Sequence, residues 1–263
     1  MSTHDAFQKL LEVIVTLTGP EGCPWDRKQT PLTLCDYVVE EAFELVEAIR
    51  ADDAHETMEE LGDVLFLLLF IAHLAEKRGR FNLEDVLRAN AAKMIRRHPH
   101  VFADTDFKNQ EEQLRAWERI KRAEKQDDNG VDQGVFDSLP KGLPPLLRAY
   151  RIHSKSARVG FTWQEDAQAE AQLESEWREW REALAKGDAE AAEQEFGDYL
   201  FTLVEVGRRK GIKANAALDF ANRKFLRRFS CMEEMARAQG KDLADMDMEA
   251  MDALWDQAKE EQG

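Results

Sequence analysis

The chain is poor in cysteine, proline and glycine, with 3, 7 and 14 of these residues among 263. Cys23, Cys35 and Cys231 stand far apart, without disulfide or metal-ligand spacing, which fits a reducing cytosol. Scarce helix breakers and abundant Ala, Glu, Leu, Lys and Arg favour helix. No stretch alternates long enough to suggest a sheet. A Gly-rich phosphate loop of the G-x-x-x-x-G-K-[ST] type is also missing, which excludes a P-loop NTPase.

Long apolar runs and an excess of positive charge are lacking too. The most apolar stretch, 64–75, is too short to span a membrane. The first residues show no secretory signal, so we expect a cytoplasmic protein. With a net charge of −16, the chain is a poor candidate for binding nucleic-acid backbones, because phosphate neutralisation needs excess Lys and Arg. A single nucleotide could still bind where local cations or a metal reverse the field.

Amphipathic helical patterns cover nearly the whole chain, and hydrophobic residues make up 43% of it. We therefore predict a globular, all-α protein. The helices are predicted over 4–18, 32–50, 54–78, 83–97, 110–126, 144–157, 166–186, 188–210, 214–239 and 247–260. A polar segment, 126–134, followed by three prolines indicates a domain junction. We expect domains over 1–128 and 146–263, joined by a linker over 129–145.

A carboxylate pattern occurs twice in the chain. Acids three or four residues apart project from one face of a helix. Two such helices side by side would concentrate carboxylates at one spot, which is unfavourable unless a cation lies between them. Oxygen ligands suit a hard ion such as Mg²⁺, with Mn²⁺ as a possible substitute. The first copy contains Glu40, Glu41, Glu44, Glu60 and Asp63, and the second contains Glu176, Glu179, Glu195 and Asp198.

A solvated helix face is the ordinary interpretation of such acids. Two features favour a metal site instead. Asp63 directly precedes an apolar stretch, so it lies at the edge of the core, where a carboxylate needs a partner. Gly62 and its counterpart Gly197 stand inside predicted helices, where glycine costs about 1 kcal/mol relative to alanine. We expect the missing side chains to let a neighbouring helix or a ligand approach the acids.

Basic and aromatic pairs repeat in the same order as the acids. A Lys and an Arg four residues apart share a helix face and suit a polyphosphate, since Arg can bind two oxygens at once. A Trp with a Lys four residues later could stack on a base or contact phosphate, although core packing is the default for any Trp. The pairs are Lys93/Arg97, Trp117/Lys121, Lys224/Arg228 and Trp255/Lys259. The spacing between copies drifts by a few residues, so one helical domain was duplicated.

These residues resemble the MazG nucleoside triphosphate pyrophosphohydrolases in their two-domain form. The family signature, E-E-x-x-E followed after a gap by E-x-x-D, is matched by Glu40-Glu41-x-x-Glu44 and Glu60-x-x-Asp63. The resemblance extends over nearly the whole chain, including the segments 22–26 and 97–102.

The resemblance implies two tandem four-helix-type domains, Mg²⁺ dependence, a homodimer, and hydrolysis of NTPs and dNTPs to NMP and pyrophosphate. It further implies catalytic and metal-binding roles for the acids, and nucleotide contacts for the basic and aromatic pairs. The metal-binding sets would be Glu41, Glu44, Glu60 and Asp63 in the first domain, and Glu176, Glu179, Glu195 and Asp198 in the second.

The second copy departs from the signature. Ser175 stands in place of the first Glu of the double, and Gln194 precedes Glu195 where the first copy has Glu59. Fewer acids could weaken metal binding or remove a second ion. The intact first motif does not prove that the first domain is the catalyst, and base preference stays open.

Two other classes of protein compete with this interpretation. A di-iron carboxylate bundle requires Glu-x-x-His on two helices, and the nearest approach here is Asp52-x-x-His55, so this class is disfavoured. A non-catalytic helical regulator that binds nucleotides is harder to exclude from sequence. Turnover would separate it from an enzyme.

Overall fold

The computed structural model describes residues 2–103, 105–129 and 134–262, and every regular element in these ranges is helical. The all-α prediction is confirmed. The α-helices are α1 Thr3–Leu17, α2 Cys35–Ala51, α3 Ala54–Lys77, α4 Leu83–Arg97, α5 Pro99–Phe102, α6 Gln110–Asn129, α7 Pro145–Arg158, α8 Asp166–Lys186, α9 Ala189–Arg209, α10 Ala214–Ala238 and α11 Met248–Gln262. Short 3₁₀ turns occupy Asp26–Lys28 and Leu243–Asp245.

Helix α2 begins at Cys35, three residues later than predicted. The backbone N–H of Thr30 donates to the Thr33 hydroxyl at 2.9 Å, and the N–H of Thr33 donates to the Thr30 hydroxyl at 3.1 Å. These local bonds offer the backbone an alternative to the helix. The one-turn helix α5 and the 3₁₀ turns were not predicted from the sequence.

The chain groups into two compact units, Met1–Lys108 and Asn109–Gly263. Helix α6 thus belongs to the second unit, where it packs against α7. The domain limits and the linker over 129–145 stay predictions, and residues 130–133 of that linker lie outside the described residues.

The core of the first unit forms around α3, which packs against α1, α2 and α4. Its buried side chains include Leu67, Phe70 and Leu74, which recur at helical spacing on one face of α3. Ile14 of α1 and Leu34, just before α2, complete this cluster. These contacts fix α3 against α1 and the start of α2.

The loop after α1 folds back closely on that helix. A β-carbon at Gly22 would lie 2.1 Å from the carbonyl oxygen of Leu17, so only glycine fits this approach. The hydroxyl of Thr18 also contacts Nε2 of His73 at 2.9 Å. Gly22 and Thr18 together hold the start of the loop against α1 and α3.

The second unit is centred on the α8–α9 pair, with α7 packed on α9 and with α10 packed on α7, α9 and α11. Aromatic rings fill the contact between α8 and α9. The Trp180 and Phe196 rings lie 5.1 Å apart and those of Trp177 and Tyr199 5.4 Å apart. A second apolar cluster, which includes Met232, Leu254 and Ala258, joins α10 to α11.

Within the described ranges, no helix is both long enough and apolar enough to cross a membrane.

Two leucines near the start of α2 provide a matched test of the first core. Leu34 is fully buried and Leu32 is 81% exposed. Leu34→Ala should lower the free energy of unfolding by about 2–5 kcal/mol because it leaves a cavity, whereas Leu32→Ala should change it by less than about 0.5 kcal/mol. Urea unfolding followed by circular dichroism measures both. Equal losses for the two variants would contradict this description of the core.

Candidate metal centres

The two acidic helix pairs are joined by similar tight turns. In the first, Asp52 adopts a left-handed conformation with φ 57°, and the Asp53 carboxylate caps α3 by accepting from the N–H groups of His55 and Glu56. In the second, Gly187 has φ 72° and Asp188 caps α9. A left-handed residue followed by a capping Asp ends one helix and starts the next. These turns set which acids of the paired helices meet.

The first acidic cluster lies between α2 and α3. Carboxylate oxygens of Glu41, Glu60 and Asp63 lie within 4.8 Å of one another. Glu44 is close enough for its charge to raise the pKa of both Glu41 and Glu60. The structure therefore brings together the four acids predicted for the first domain.

Burial and like charge raise the pKa of two acids in this cluster. Burial raises the pKa of the Glu41 carboxyl, and the charges of Glu44 and Asp63 raise it further. Burial likewise raises the pKa of Glu60, followed by the charges of Glu44 and Glu41. Oε2 of Glu60 is buried without a hydrogen-bond partner. A cation between the acids would relieve the repulsion and provide that oxygen with a partner.

The second acidic cluster lies between α8 and α9. Carboxylate oxygens of Glu176, Glu179 and Glu195 lie within 4.8 Å of one another. Burial raises the pKa of Glu195, and the charges of Glu179, Asp198 and Glu176 raise it further. The four acids predicted for the second domain thus also occur together.

Two side chains that the sequence analysis did not assign to the site hold acids of the second cluster. The Ser175 hydroxyl donates to Glu179 at 2.8 Å, and the Gln172 amide donates to Glu176 at 2.8 Å. Each donor lies four residues before its acid. This spacing places the two side chains on one helix face and is visible in the sequence. Ser175, predicted only as a missing acid, therefore orients Glu179.

The expectation that Gly62 and Gly197 admit a neighbouring helix of this chain is wrong. A β-carbon built at either glycine meets no described atom within 4 Å. Both positions are exposed, so the described chain leaves the space beside them open. The room that we expected for a ligand there stays a prediction.

The basic and aromatic pairs of the first copy are divided between the two units. Lys93 and Arg97 lie on α4, which packs against α3, whereas Trp117 and Lys121 lie on α6 in the second unit. The Lys121 ammonium lies 4.5 Å from the centre of the Trp117 ring. Arg158 of α7 also faces that ring, at 5.9 Å. Trp117 thus helps to pack α6 against α7.

In the second copy, both pairs lie within one unit. Lys224 and Arg228 are half-buried on α10, and Nε of Arg228 is buried without a hydrogen-bond partner. The Trp255 ring contacts that of Phe225 at 5.1 Å, which joins α11 to α10. Lys259 is paired with Asp256 at 2.7 Å. The second unit therefore contains an acidic cluster together with both of its basic and aromatic pairs.

Comparisons with known proteins identify a family for the chain. Residues 29–102, which include the first acidic cluster, match the family described as the MazG nucleotide pyrophosphohydrolase domain. The chain is 38% identical over 259 residues to the nucleoside triphosphate pyrophosphohydrolase of Escherichia coli, covering 97% of each protein. It is 39% identical over 253 residues to a Thermotoga maritima protein, nucleoside triphosphate pyrophosphohydrolase/pyrophosphatase MazG, covering 96% of this chain and 95% of that one.

The chain aligns with only part of a third relative. The chain is 42% identical over 258 residues to the uncharacterised protein YabN of Bacillus subtilis, with 98% of this chain and 52% of YabN aligned. Similarity over the full length of the E. coli and T. maritima proteins, together with two paired-helix carboxylate clusters, establishes that the chain belongs to the MazG nucleotide pyrophosphohydrolase family.

Proposed function

We propose that the chain is a metal-dependent hydrolase that converts nucleoside triphosphates to nucleoside monophosphates and pyrophosphate. The observation that carries the proposal is the pair of carboxylate clusters, each assembled from a Glu-x-x-Glu helix and a Glu-x-x-Asp helix. Full-length similarity to pyrophosphohydrolases supports the reaction type. The three free thiols support a place in the cytoplasm.

The residues fit a divalent cation. The donors are carboxylate oxygens, which Mg²⁺ prefers and Mn²⁺ accepts. Oε2 of Glu60 is buried with no partner, and the raised pKa of Glu195 reflects burial and three nearby acids. We propose that the acids of both clusters hold the cation. These are Glu41, Glu44, Glu60 and Asp63 in the first cluster, and Glu176, Glu179, Glu195 and Asp198 in the second.

The chain's own residues position the reactants and handle the proton. A bound divalent cation would supply positive charge for the phosphate oxygens and make a nearby water more acidic. A glutamate of the cluster accepts the proton of the attacking water. Lys224 and Arg228, which share a face of α10, offset the charge on the departing pyrophosphate. Attack at the α-phosphorus then releases pyrophosphate from the nucleoside monophosphate.

We assign the main catalytic role to the second unit. Its acidic cluster, its Lys224/Arg228 pair and its Trp255/Lys259 pair occur in one compact body. In the first copy, Trp117 instead faces Arg158, and Lys121 pairs with Glu118, all of them in the second unit. Hydrogen bonds from Ser175 and Gln172 also orient two glutamates of the second cluster. A site whose ligands are already oriented loses less entropy on binding.

We also propose that the chain assembles as a homodimer. Apolar side chains repeat at helical spacing on exposed faces of α2 and α3. They are Val39, Phe43 and Val46 on α2, and Leu61, Leu65 and Leu68 on α3, each 39–58% exposed. A continuous exposed apolar surface is typical of a protein–protein interface. A second copy would cover it and place another helix beside Gly62, where the described chain leaves space.

The proposed reaction is tested by its products. Incubation of the purified protein with Mg²⁺ and each common NTP and dNTP should yield NMP and pyrophosphate, with no turnover after chelation and recovery on adding Mg²⁺ or Mn²⁺. Anion-exchange chromatography resolves the products. NDP with orthophosphate would place the attack at the γ-phosphorus and refute the proposal. Saturable binding without turnover would favour the non-catalytic regulator.

The assignment to the second unit is tested by two matched substitutions. Asp198→Asn should reduce kcat/KM on the order of 100-fold, because it removes a charge from the cation site while keeping the side chain's shape. Asp63→Asn removes the corresponding charge from the first cluster and should retain most of the activity. Circular dichroism checks that both variants fold. The reverse pattern would transfer catalysis to the first unit.

Cation binding should depend on pH in a direction set by the raised pKa values of Glu41, Glu60 and Glu195. An acid with a raised folded-state pKa stabilises the cation-free protein while protonated, and this contribution is lost as pH rises through that pKa. A divalent cation replaces the lost protons. The increase in Tm on adding Mg²⁺ should therefore be larger at about pH 7 than at about pH 5. Differential scanning calorimetry at matched ionic strength measures it, and an equal or smaller increase at the higher pH would contradict the cation site.

A further inference from the structure

The second unit contains a cavity of about 540 Å³ next to α9. This volume lies within the range of small-molecule sites. Its walls include four large aromatic side chains, Phe136, Phe161, Trp163 and Phe201. Phe161 is 83% exposed, which is unusual for a large apolar side chain. Flat apolar walls of this kind suit a planar ring, on which aromatic side chains can stack.

One wall of the cavity carries a buried charge. Glu205 is 2% exposed, and Arg208 donates to its two carboxylate oxygens at 2.6 and 2.8 Å. Glu205 follows Asp198 at the same spacing at which Phe70 follows Asp63. The first copy thus fills the corresponding position with a phenylalanine that is 1% exposed. A buried ion pair is seldom more stable than well-packed apolar residues, so the exchange of Phe for Glu indicates a role other than stability.

Glu205 lies in line with the second acidic cluster. It follows Asp198 by seven residues on α9, which places both side chains on nearly the same helix face, about 10 Å apart along the axis. Phe201, which lines the cavity, lies one turn from Asp198. A nucleoside phosphate spans this separation between its phosphorus and the far edge of its base. A nucleotide whose α-phosphate meets the acidic cluster can therefore place its base in the cavity.

The polar wall presents two acceptors that face each other. Nε2 of His153 contacts the carbonyl oxygen of Phe201 at 3.0 Å, so it carries the proton of the neutral ring and leaves Nδ1 as an acceptor. Burial lowers the pKa of His153, which favours that neutral ring, although the charge of Glu205 acts in the opposite direction. Nδ1 lies 3.6 Å from Oε2 of Glu205, which is too long for a direct hydrogen bond.

An amino group has two N–H donors and can bond to both acceptors. A carbonyl oxygen at the same place would face both acceptors. It would leave Nδ1 of His153 without a donor and Glu205 with only its bonds from Arg208 and Thr162. We propose that this cavity receives the base of the nucleotide, and that His153 and Glu205 select bases with an exocyclic amino group over bases with a carbonyl in its place. The inference rests on the proposed function, because it assigns base recognition to the same site.

The test compares substrates that differ by this exchange and by the proton that it adds to the adjacent ring nitrogen. CTP and UTP form one pair, and ATP and ITP form the other. A site with acceptors for an amino group should reject the carbonyl analogue by about tenfold or more in kcat/KM. Initial rates at subsaturating substrate give the ratio within each pair. A ratio near one in both pairs, with hydrolysis intact, overturns the inference and leaves the proposed function standing.

Two substitutions locate the selectivity. Glu205→Gln exchanges an acceptor for an amide, and His153→Phe removes Nδ1 while keeping a ring. Each should reduce the CTP/UTP ratio to within about threefold of one. A purely structural role would lower both rates by the same factor and leave the ratio unchanged, which would overturn the inference. If Glu205→Gln fails to fold, the wild-type ratios and His153→Phe decide the question.

The control is the matched substitution His73→Phe in the first unit, where His73 contacts Thr18 and not the cavity. It should leave the CTP/UTP ratio at the wild-type value. Equilibrium dialysis with CMP and UMP in the presence of Mg²⁺ separates the two proposals. If no nucleotide is hydrolysed, the proposed function fails. Tighter binding of CMP than of UMP, lost in His153→Phe, would still support the base site. Equal binding of CMP and UMP overturns the base site.

Discussion

Repulsion between carboxylates held on paired helices is the constraint around which this protein is organised. Glu41, Glu60 and Asp63 have oxygens within 4.8 Å of one another, and solvent cannot fully separate their charges because one oxygen of Glu60 is buried. The apolar cluster that includes Phe70 fixes α3 against its neighbours, so the helices cannot move apart to relieve the repulsion. The packing energy of the core thus maintains a cluster whose like charges repel one another.

The same helix pair is specified twice by local turn chemistry. Asp52 and Gly187 adopt left-handed conformations, and the Asp that follows each one caps the next helix. Because these turns are short, the paired helices meet in one register, and a shift of one residue would rotate each acid by about 100° away from its partners. The geometry of the acidic clusters therefore depends on a few turn residues that lie outside them.

Most of the helices and both acidic clusters could be predicted from sequence, because each depends on spacing within one or two neighbouring helices. The contact of Arg158 with Trp117 could not, since it joins segments whose packing no local pattern encodes. The roles of Gln172 and Ser175 were missed for another reason. A polar side chain four residues before an acid is equally compatible with solvent, and only the observed distances distinguish the two cases. The open space beside Gly62 could not be predicted either, because a helix sequence does not show which face remains uncovered.

The two helix pairs have similar turns but differ at a corresponding buried position. The first copy fills the position two turns beyond its cluster Asp with Phe70, which closes the core. The second copy has Glu205 there, held by Arg208 and facing His153, beside a cavity with aromatic walls. The helix pair tolerates the exchange because Arg208, one turn further along α9, compensates the buried charge locally. Exchanges of this kind can change what a unit recognises without moving its acids, since the turns and the apolar helix contacts that position those acids remain the same.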